Sequence, residues 1–446
     1  MSNRRLLALG AAGSAMTLAG ALNAYNPEAE KYWPQWRGPS ATGVSKNATP
    51  PLEWSETKNV RWKKEIPGSG SGTPVIWGDK LFILTAVPVP ATAPAAGPRL
   101  VSQQRNEPAA PPPTHRYTIM ALDRRDGKVI WERVAREEAP HESTHQQFGT
   151  FASASAVTDG EIVVASFESR GIYAYDMNGK LLWQKDLGDK SMRNQFGEGS
   201  TPALHGNSVV VVWDHQGESF IVALDKKTGN ERWRAERKEI DSWATPLVVE
   251  HGGRAQVVTA GTNQVRSYDF ETGKLLWFGE GLTANPIPSP VAIDGLVILT
   301  SGFRGNDLQA VKLADAKDDI TKSPAIAWTL ERDTPYVPSP LLYDGILYLL
   351  KGNTGVLSTF DAKTGQPHYQ LQRLDATPNV FASPVGAAGR VYVPGQEGTT
   401  AVLKAGPAFE ALAANKLDDG FNASPALVDN AIYLRGKRFL YCIAEK

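Results

Sequence analysis

A Ser/Thr-Pro step that opens an apolar run recurs along this chain, and it constrains the fold more than any other feature. From Pro202 the prolines of these steps advance by 44, 44, 50, 44 and 41 residues. That period matches one four-stranded blade of a β-propeller. The copies are Thr73-Pro74, Thr201-Pro202, Thr245-Pro246, Ser289-Pro290, Ser339-Pro340, Ser383-Pro384 and Ser424-Pro425, with a degenerate eighth at Ser155-Ala156.

A second motif, Asp-x-x-Thr-Gly-x-x-x-Trp, follows each step by about thirty residues. The Asp carboxylate caps a tight turn, and the Gly takes the positive φ that closes it. The Trp then falls on the outer strand, where its ring can wedge between adjacent blades. The motif is complete at Asp225 to Trp233 and Asp269 to Trp277, altered at Asp123 to Trp131, Asp176 to Trp183 and Asp361 to Tyr369, and has lost its Thr-Gly in the blade of Trp328.

These two repeats predict an all-β fold, an eight-bladed β-propeller of four-stranded antiparallel blades with tryptophan docking, over residues 60–446. Phe439–Ile443 fits the third strand of the last blade, and the segment Val60 to Glu65 resembles a fourth strand. We therefore expect this N-terminal strand to close the ring and remove an open edge. Apolar runs predict further strands at Leu81–Leu84, Ile162–Ser166, Val209–Val212, Val297–Thr300 and Leu347–Leu350.

The segments outside the repeats carry other signals. Arg4 and Arg5 precede an apolar run that ends at small residues, which predicts a signal peptide over residues 1–24 and an N-terminal extension over 25–59. No cysteine follows this run, so we expect no lipid anchor. We expect a periplasmic or secreted protein without a membrane span after signal cleavage, although an uncleaved anchor stays open. Residues 87–114 contain eight prolines and predict a Pro/Ala-rich loop insertion in the first blade.

Composition excludes several function classes. The 47 Lys and Arg residues balance the 47 Asp and Glu residues, so the net charge gives no reason to expect nucleic-acid binding. The lone Cys442 excludes an internal disulfide, a four-thiolate zinc site and a C-x-x-C-H haem attachment. We expect Cys442 to be a buried apolar residue and the protein to be a monomer.

One short motif matches a metalloprotease pattern. His141-Glu142-Ser143-Thr144-His145 is H-E-x-x-H, which binds zinc when the two His lie one helical turn apart. Here the motif follows Pro140 in a polar stretch without an apolar helical face. We therefore interpret it as a loop, and we assign no metal site.

The repeats, together with Trp33-Pro34-Gln35-Trp36-Arg37-Gly38-Pro39, resemble the pyrroloquinoline-quinone-like propeller repeat family of bacterial envelopes. The resemblance covers Trp33 onwards and is specific for the fold rather than for the function. The family includes quinoprotein alcohol and sugar dehydrogenases and the propeller component of the outer-membrane β-barrel assembly machinery. Many of the dehydrogenases use a vicinal disulfide, which Cys442 alone does not provide, and their calcium ligands and catalytic Asp do not map onto this chain.

In a propeller, the loops that enter each innermost strand and the loops between strands two and three share one face around the channel mouth. We predict a pocket at this rim; the alternative is a solvated rim whose charges pair with one another. Its candidate residues are His145, Arg170, Glu198, Asp214, Trp243, Asn285, Arg304, Tyr336, Lys351, Asn379 and Arg435.

Two function hypotheses remain. The first is a non-catalytic envelope binding or scaffold protein, without a cofactor, that holds an envelope protein partner or a small polar ligand. The second is an oxidoreductase, an alcohol or sugar dehydrogenase with pyrroloquinoline quinone and calcium near Glu198, Asn285 and Arg304.

Overall fold

The structure is a computed structural model that describes residues 27–90 and 113–445. The predicted signal peptide, residues 1–24, and most of the predicted loop insertion lie outside the described residues. The described chain forms eight sheets, each built on four antiparallel strands, and almost no helix, which confirms the predicted eight-bladed propeller. Its short 3₁₀ helices are Pro27–Lys31, Glu168–Arg170 and Arg193–Gln195.

The first half of the ring follows the closing strand, β1. Blades 1 to 4 each run outward from the innermost strand in chain order. The strands are β1 (Val60–Glu65); β2 to β5 in blade 1 (Val75–Trp77, Lys80–Pro88, His115–Asp123, Val129–Glu138); β6 to β9 in blade 2 (Val157–Thr158, Ile162–Ser166, Ile172–Asp176, Leu181–Lys185); β10 to β13 in blade 3 (Ala203–His205, Ser208–Trp213, Ser219–Asp225, Glu231–Arg237); and β14 to β17 in blade 4 (Leu247–His251, Arg254–Thr259, Gln264–Asp269, Leu275–Glu280).

The second half repeats this order with one irregularity. In blade 5 the two-residue strand β21 leaves its own sheet and pairs in parallel with β17 of blade 4. The strands are β18 to β22 in blade 5 (Val291–Ile293, Leu296–Ser301, Asp307–Lys312, Asp318–Asp319, Ile326–Thr329); β23 to β26 in blade 6 (Leu341–Tyr343, Ile346–Leu350, Val356–Asp361, Pro367–Arg373); β27 to β30 in blade 7 (Val385–Ala387, Arg390–Pro394, Thr399–Lys404, Ala411–Lys416); and β31 to β33 in blade 8 (Ala426–Val428, Ala431–Arg435, Phe439–Ala444).

The N-terminal strand closes the ring as predicted. β1 pairs antiparallel with β33, with Trp62 opposite Cys442 and Glu65 opposite Phe439. The Trp62 indole also donates from Nε1 to the carbonyl of Arg124 in blade 1 at 3.0 Å. β1 therefore completes the sheet of blade 8 and joins that blade to blade 1.

The core lies between neighbouring blades, and the two halves of the Asp…Gly…Trp motif meet there. Five Trp side chains pack on the positive-φ Gly of the next blade's turn and donate from Nε1 to a carbonyl of that turn, at 2.8 to 3.3 Å. The Trp277 indole instead donates to Gln256 Oε1 of its own blade at 3.0 Å. A Cβ on each of these glycines would lie 2.4 to 2.9 Å from the indole ring, so the docking depends on Gly as well as on Trp. The pairs are Trp62 with Gly127, Trp131 with Gly179, Trp183 with Gly229, Trp233 with Gly273 and Trp328 with Gly365.

The Ser/Thr of the repeated step forms a ring of hydrogen bonds around the channel. At seven of the eight blade junctions, the backbone N–H of this residue donates to the hydroxyl of the equivalent residue in the next blade, at 2.8 to 3.3 Å. The degenerate Ser155 takes part, although it has lost the proline. Among the described residues, Thr73 Oγ1 has no hydrogen-bond partner. The step therefore links the innermost strands in addition to starting them.

The predicted N-terminal extension crosses the lower face of the ring, the face that carries the Asp-capped turns. Its backbone pairs with innermost strands on both sides of the channel, through Trp33 with Ile76 of blade 1 and through Gly43 and Ser45 with Gly386 of blade 7. Between these anchors, Trp36 and Arg37 lie at the axis. The extension thus covers one end of the channel.

The first blade differs from the prediction in one boundary. Val87 and Pro88, assigned to the loop insertion from the sequence, continue β3 and pair with Arg116 and His115. The prolines there are tolerated because Pro88 stands at the end of its strand. No helix in the described part of the chain is both long and apolar enough to cross a membrane.

Candidate ligand pocket at the channel mouth

A pocket of about 280 Å³ opens at the upper mouth of the channel. Its wall takes one residue from each blade, always two positions before the Ser/Thr of the repeated step. The regular fold therefore brings eight residues of seven different types to one level around the axis. They are Ser71, Ser153, Gly199, Trp243, Ile287, Val337, Phe381 and Asn422.

Aromatic rings from the entering loops complete the wall. The His145 ring stacks on Phe148 at 4.9 Å between centroids and meets Phe196 at 5.5 Å. Phe148 in turn contacts Phe381, across the mouth, at 4.4 Å. Tyr336 lines the opposite side, so the mouth is largely a cage of aromatic side chains.

Trp36 forms the floor of this pocket. Its indole lines both the mouth pocket and a second cavity of about 730 Å³ on the lower face. Its Nε1 donates to Ser289 Oγ in the hydroxyl ring at 3.1 Å. Trp36 therefore separates the two cavities and closes the channel.

Arg37 secures the same segment below the floor. Its Nη2 donates to the carbonyls of Pro340 at 3.0 Å and Pro384 at 2.8 Å, across two neighbouring innermost strands. Burial lowers the pKa of Arg37 to about 9, and an arginine keeps its charge at neutral pH. This buried cation holds the N-terminal extension against the ring.

Glu198 is the carboxylate of the pocket lining. Its Oε2 accepts a hydrogen bond from the backbone N–H of Ser169 at 3.0 Å. Behind it, the buried ammonium of Lys190 binds Glu168 Oε1 at 2.8 Å. Burial raises the pKa of both carboxyl groups, and Lys190 opposes this effect. Lys190 thus contacts Glu168 directly and acts on Glu198 through its charge alone.

The structure brings four of the eleven predicted rim residues together in this pocket, namely His145, Glu198, Trp243 and Tyr336. The other seven lie outside its lining. Asn285 is buried with φ of 53°, and its Nδ2 has no hydrogen-bond partner among the described residues. Arg304 is exposed, with its guanidinium 5.3 Å from the ring of Phe303.

The remaining charged rim residues pair locally. Arg170 is buried between Glu138 and Asp189, and Asp214 is buried against Arg237 at 2.7 Å. Lys351 pairs with Asp333 at 2.8 Å, Asn379 donates to Glu397, and Arg435 donates to the carbonyl of Leu84. These side chains stabilise the loops around the mouth.

Sequence reasoning missed Phe148, Phe196, Phe381 and Trp36, which supply most of the aromatic surface. The spacing could have identified Phe381, because it stands at the same position relative to its Ser-Pro step as Trp243 does. Trp36 gives no such signal, since its segment belongs to no repeat.

The H-E-x-x-H motif lies in a loop, as interpreted from the sequence. His141 contacts the carbonyl of Lys190 through Nε2 at 2.6 Å, and the Glu142 carboxylate accepts the backbone N–H of Met192. His145 instead lines the channel mouth. The two imidazoles thus face different surroundings, which does not fit a helical zinc site.

The pocket does not fit pyrroloquinoline quinone with calcium. Calcium takes six to eight oxygen ligands, and the described residues contain no group of three His, Cys, Asp or Glu side chains that could hold a metal ion. The quinone carries several carboxylates, whereas no Lys or Arg occurs among the described residues that line this pocket. Within the described lining, an anionic ligand would meet the Glu198 carboxylate and no Lys or Arg side chain.

The model of one protein family, described as outer membrane protein assembly factor BamB, matches residues 52–218 and 168–322. The chain belongs to this family. No curated protein matches the sequence significantly. The family includes pyrroloquinoline-quinone-like propellers of more than one function, so membership establishes the fold and leaves the role open.

Solved structures agree with the fold. BamB from Moraxella catarrhalis superposes with a TM-score of 0.57 at 13% identity, over 86% of this chain and 99% of that one. Quinohemoprotein alcohol dehydrogenase from Comamonas testosteroni gives 0.61 at 11% identity, over 93% and 81%. A europium-containing methanol dehydrogenase gives 0.61 at 11% identity, over 92% and 89%. At such identities the likeness concerns the fold alone.

Proposed function

We propose that this protein is a non-catalytic binding or scaffold protein of the cell envelope, which holds a protein partner or a small ligand at the channel mouth. The observation that carries the proposal is the pocket itself. It lies at the upper mouth of the channel, is closed below by Trp36, and carries seven aromatic side chains in its wall and floor. Large apolar surfaces with few polar groups are typical of binding sites.

The arrangement of polar groups supports binding rather than catalysis. A nucleophilic mechanism needs a hydroxyl or thiol in hydrogen-bond contact with a base. His145 Nδ1 accepts the backbone N–H of Gln147, and no Ser, Thr or Cys side chain of the described residues hydrogen-bonds an imidazole. Ser153, also in the wall, bonds instead to Thr150.

The family and the sequence support an envelope location. The matching family model is named for outer-membrane protein assembly, and residues 1–24 carry the predicted export signal. An envelope protein whose ring is closed by its own N-terminal strand offers a stable frame on which to present the mouth. We therefore place the binding surface on the upper face.

Site-specific photo-crosslinking tests this proposal. A photoreactive amino acid replaces Phe381 in the full chain, expressed in the source cells, and adducts are analysed in envelope extracts. We expect a discrete adduct at Phe381. The same amino acid at Phe409, a half-buried ring on the outer side of blade 7 that contacts Tyr369, is the control. Equal adduct patterns at both positions, or none at Phe381, contradict the binding of a protein partner at the mouth. If the full chain also binds no small ligand in a calorimetric titration, the binding role of the mouth is contradicted altogether.

A further inference from the structure

We propose that the channel-mouth pocket selects an organic cation, an alkylammonium or guanidinium group, carried by a free ion or by a side chain of a partner protein. This inference rests on the proposed binding function and adds the class of ligand. It follows from three features of the pocket: the aromatic faces, the sign of the charge, and the closed floor.

The aromatic faces supply the first attraction. Six rings line one small cavity, and cations bind over such rings because the ring quadrupole is negative on its face. His145, Phe148 and Phe381 form a continuous chain of contacts at 4.9 and 4.4 Å between centroids. The six Phe, Trp and Tyr rings are Trp36, Phe148, Phe196, Trp243, Tyr336 and Phe381.

The order of the cage limits the entropic cost of binding. Trp243 donates from Nε1 to the carbonyl of Gly197 at 2.7 Å, which holds the indole in the wall. Tyr336 stacks on Phe303 behind it, at 4.7 Å between centroids. Because these rings are held before a ligand arrives, a bound group need not order them.

The charge of the lining supplies the second attraction. Glu198 lies in the wall, and no Lys or Arg of the described residues joins it there. Lys190 compensates only in part, because it already binds Glu168 directly. Of the described Asp, Glu, Lys and Arg side chains, the lining holds Glu198 alone, and outside the lining His141 Nε2 lies 3.8 Å from Glu198 Oε1. The wall is therefore complementary to a cation and unfavourable for an anion.

The size of the cavity limits the ligand. Trp36 closes the pocket at a volume of about 280 Å³, near the lower end of small-molecule sites. A compact ammonium ion or the end of one Lys or Arg side chain fits this space, whereas a folded element does not. A cationic group loses its contacts with water when it enters the pocket. Its interactions with the rings and with Glu198 offset that loss of hydration.

The test is a calorimetric titration of the full chain at constant ionic strength. The probes are tetramethylammonium and the capped tripeptide Gly-Lys-Gly, and their neutral counterparts are 2,2-dimethylpropanol and capped Gly-norleucine-Gly. We expect each neutral compound to bind about tenfold more weakly than its cation. Tighter binding of the tripeptide than of tetramethylammonium indicates a partner's side chain, and the reverse order indicates a free ion.

Matched variants locate the site. Phe381→Leu and Glu198→Gln each weaken the cation about three- to tenfold. Phe409→Leu, outside the pocket, and Glu397→Gln, on the same rim but outside the lining, leave the affinity unchanged. Equal effects of pocket and control variants overturn the assignment.

Two further outcomes separate this inference from the proposed function. The cation assignment is overturned if the neutral compounds bind as well as the cations, or if the cations do not bind. The proposed binding function then still stands, provided that Phe381 forms a specific crosslink. Absence of both cation binding and the crosslink overturns the cation assignment and the binding function together.

Discussion

Ser289 Oγ accepts two hydrogen bonds, from the Trp36 indole Nε1 at 3.1 Å and from the backbone N–H of Thr245 at 3.1 Å. One hydroxyl thus belongs both to the ring that links the blades and to the floor that closes the channel. The N-terminal extension is therefore bonded into the ring as well as packed against it.

The hydroxyl ring predicts a graded series of stabilities. Ser289→Ala leaves two N–H donors without an acceptor, and Ser424→Ala leaves only the N–H of Ser383 without one. Thr73→Val leaves no donor of the described structure without its acceptor. An unpartnered buried donor costs about 1 to 3 kcal/mol, so the free energy of unfolding should fall most for Ser289→Ala and least for Thr73→Val. Urea unfolding followed by fluorescence measures the series. Equal losses at Ser289 and Thr73 would show that the ring bonds contribute nothing.

The docking turns predict that Gly229→Ala is more damaging than a substitution at another positive-φ glycine. Gly229 has φ of 72°, and an added Cβ would lie 2.8 Å from the Trp183 ring. Gly345 has φ of 78°, but nothing lies within 4 Å of its Cβ position. Both variants incur the left-handed backbone strain of about 1 to 2 kcal/mol, whereas only Gly229→Ala also displaces a docked Trp. Urea midpoints compare the two, and identical midpoints would refute the role of the Gly in docking.

The buried pair of Arg237 and Asp214 predicts a pH-dependent loss. Burial raises the pKa of Asp214, and the Arg237 guanidinium opposes this effect. Arg237→Met leaves the carboxylate buried and unpaired, which costs about 3 to 5 kcal/mol at neutral pH. Because the folded carboxyl then has a raised pKa, the variant is most stable at acid pH and loses stability as the pH rises through that pKa.

A matched surface pair provides the control for this prediction. Arg254 contacts Asp269 at 2.7 Å through the same Nε atom, but the Arg side chain is 55% exposed. Arg254→Met should therefore cost no more than about 1 kcal/mol. Thermal unfolding of both variants between pH 4 and 8 is the measurement. A loss at Arg237 that is equally small, or independent of pH, would contradict the account.

Cys442 reports on ring closure. Its thiol is fully buried opposite Trp62, and burial raises its pKa to about 11. Because the thiolate is the reactive form, we expect no labelling of the folded protein by a disulfide reagent at pH 8. Trp62→Ala, which undocks β1, should speed labelling more than Trp131→Ala, which removes the equivalent ring elsewhere. Equal rates would mean that β1 does not open separately from the rest of the ring.

Much of the fold could be predicted because each blade of a propeller needs the same sequence features, here the Ser/Thr-Pro step and the Asp…Gly…Trp motif. Val60 to Glu65 and Ile162–Ser166 match the observed strands residue for residue. The Asp…Gly…Trp motif identified the blade junctions because the Trp ring of one blade docks on the Asp-capped turn and its Gly in the next blade. Blade 5, the blade of Trp328, has lost the Thr-Gly of this turn. At that junction β21 of blade 5 pairs with β17 of blade 4, which carries Trp277.

The site was less predictable because nothing in residue type marks it. The wall positions hold Ser, Gly, Trp, Ile, Val, Phe and Asn, so only their common distance from the Ser/Thr step unites them. Charged residues such as Lys351 find partners a few ångströms away, and the choice of partner depends on side-chain rotamers that the sequence does not show. The role of Trp36 depends on the course of the N-terminal extension across the lower face of the ring, which no repeat in the sequence indicates.

The central claim is that the channel mouth binds a ligand without quinone chemistry. Its most direct test is calorimetric titration of the full chain with pyrroloquinoline quinone and Ca²⁺, combined with a dye-linked screen for alcohol and sugar oxidation. The account predicts no saturable binding of the quinone and no dye reduction, because the described lining offers Glu198 and aromatic rings but no Lys or Arg for the carboxylates of the quinone. Stoichiometric, calcium-dependent binding with dye reduction would contradict the account and make the protein a quinone-dependent dehydrogenase.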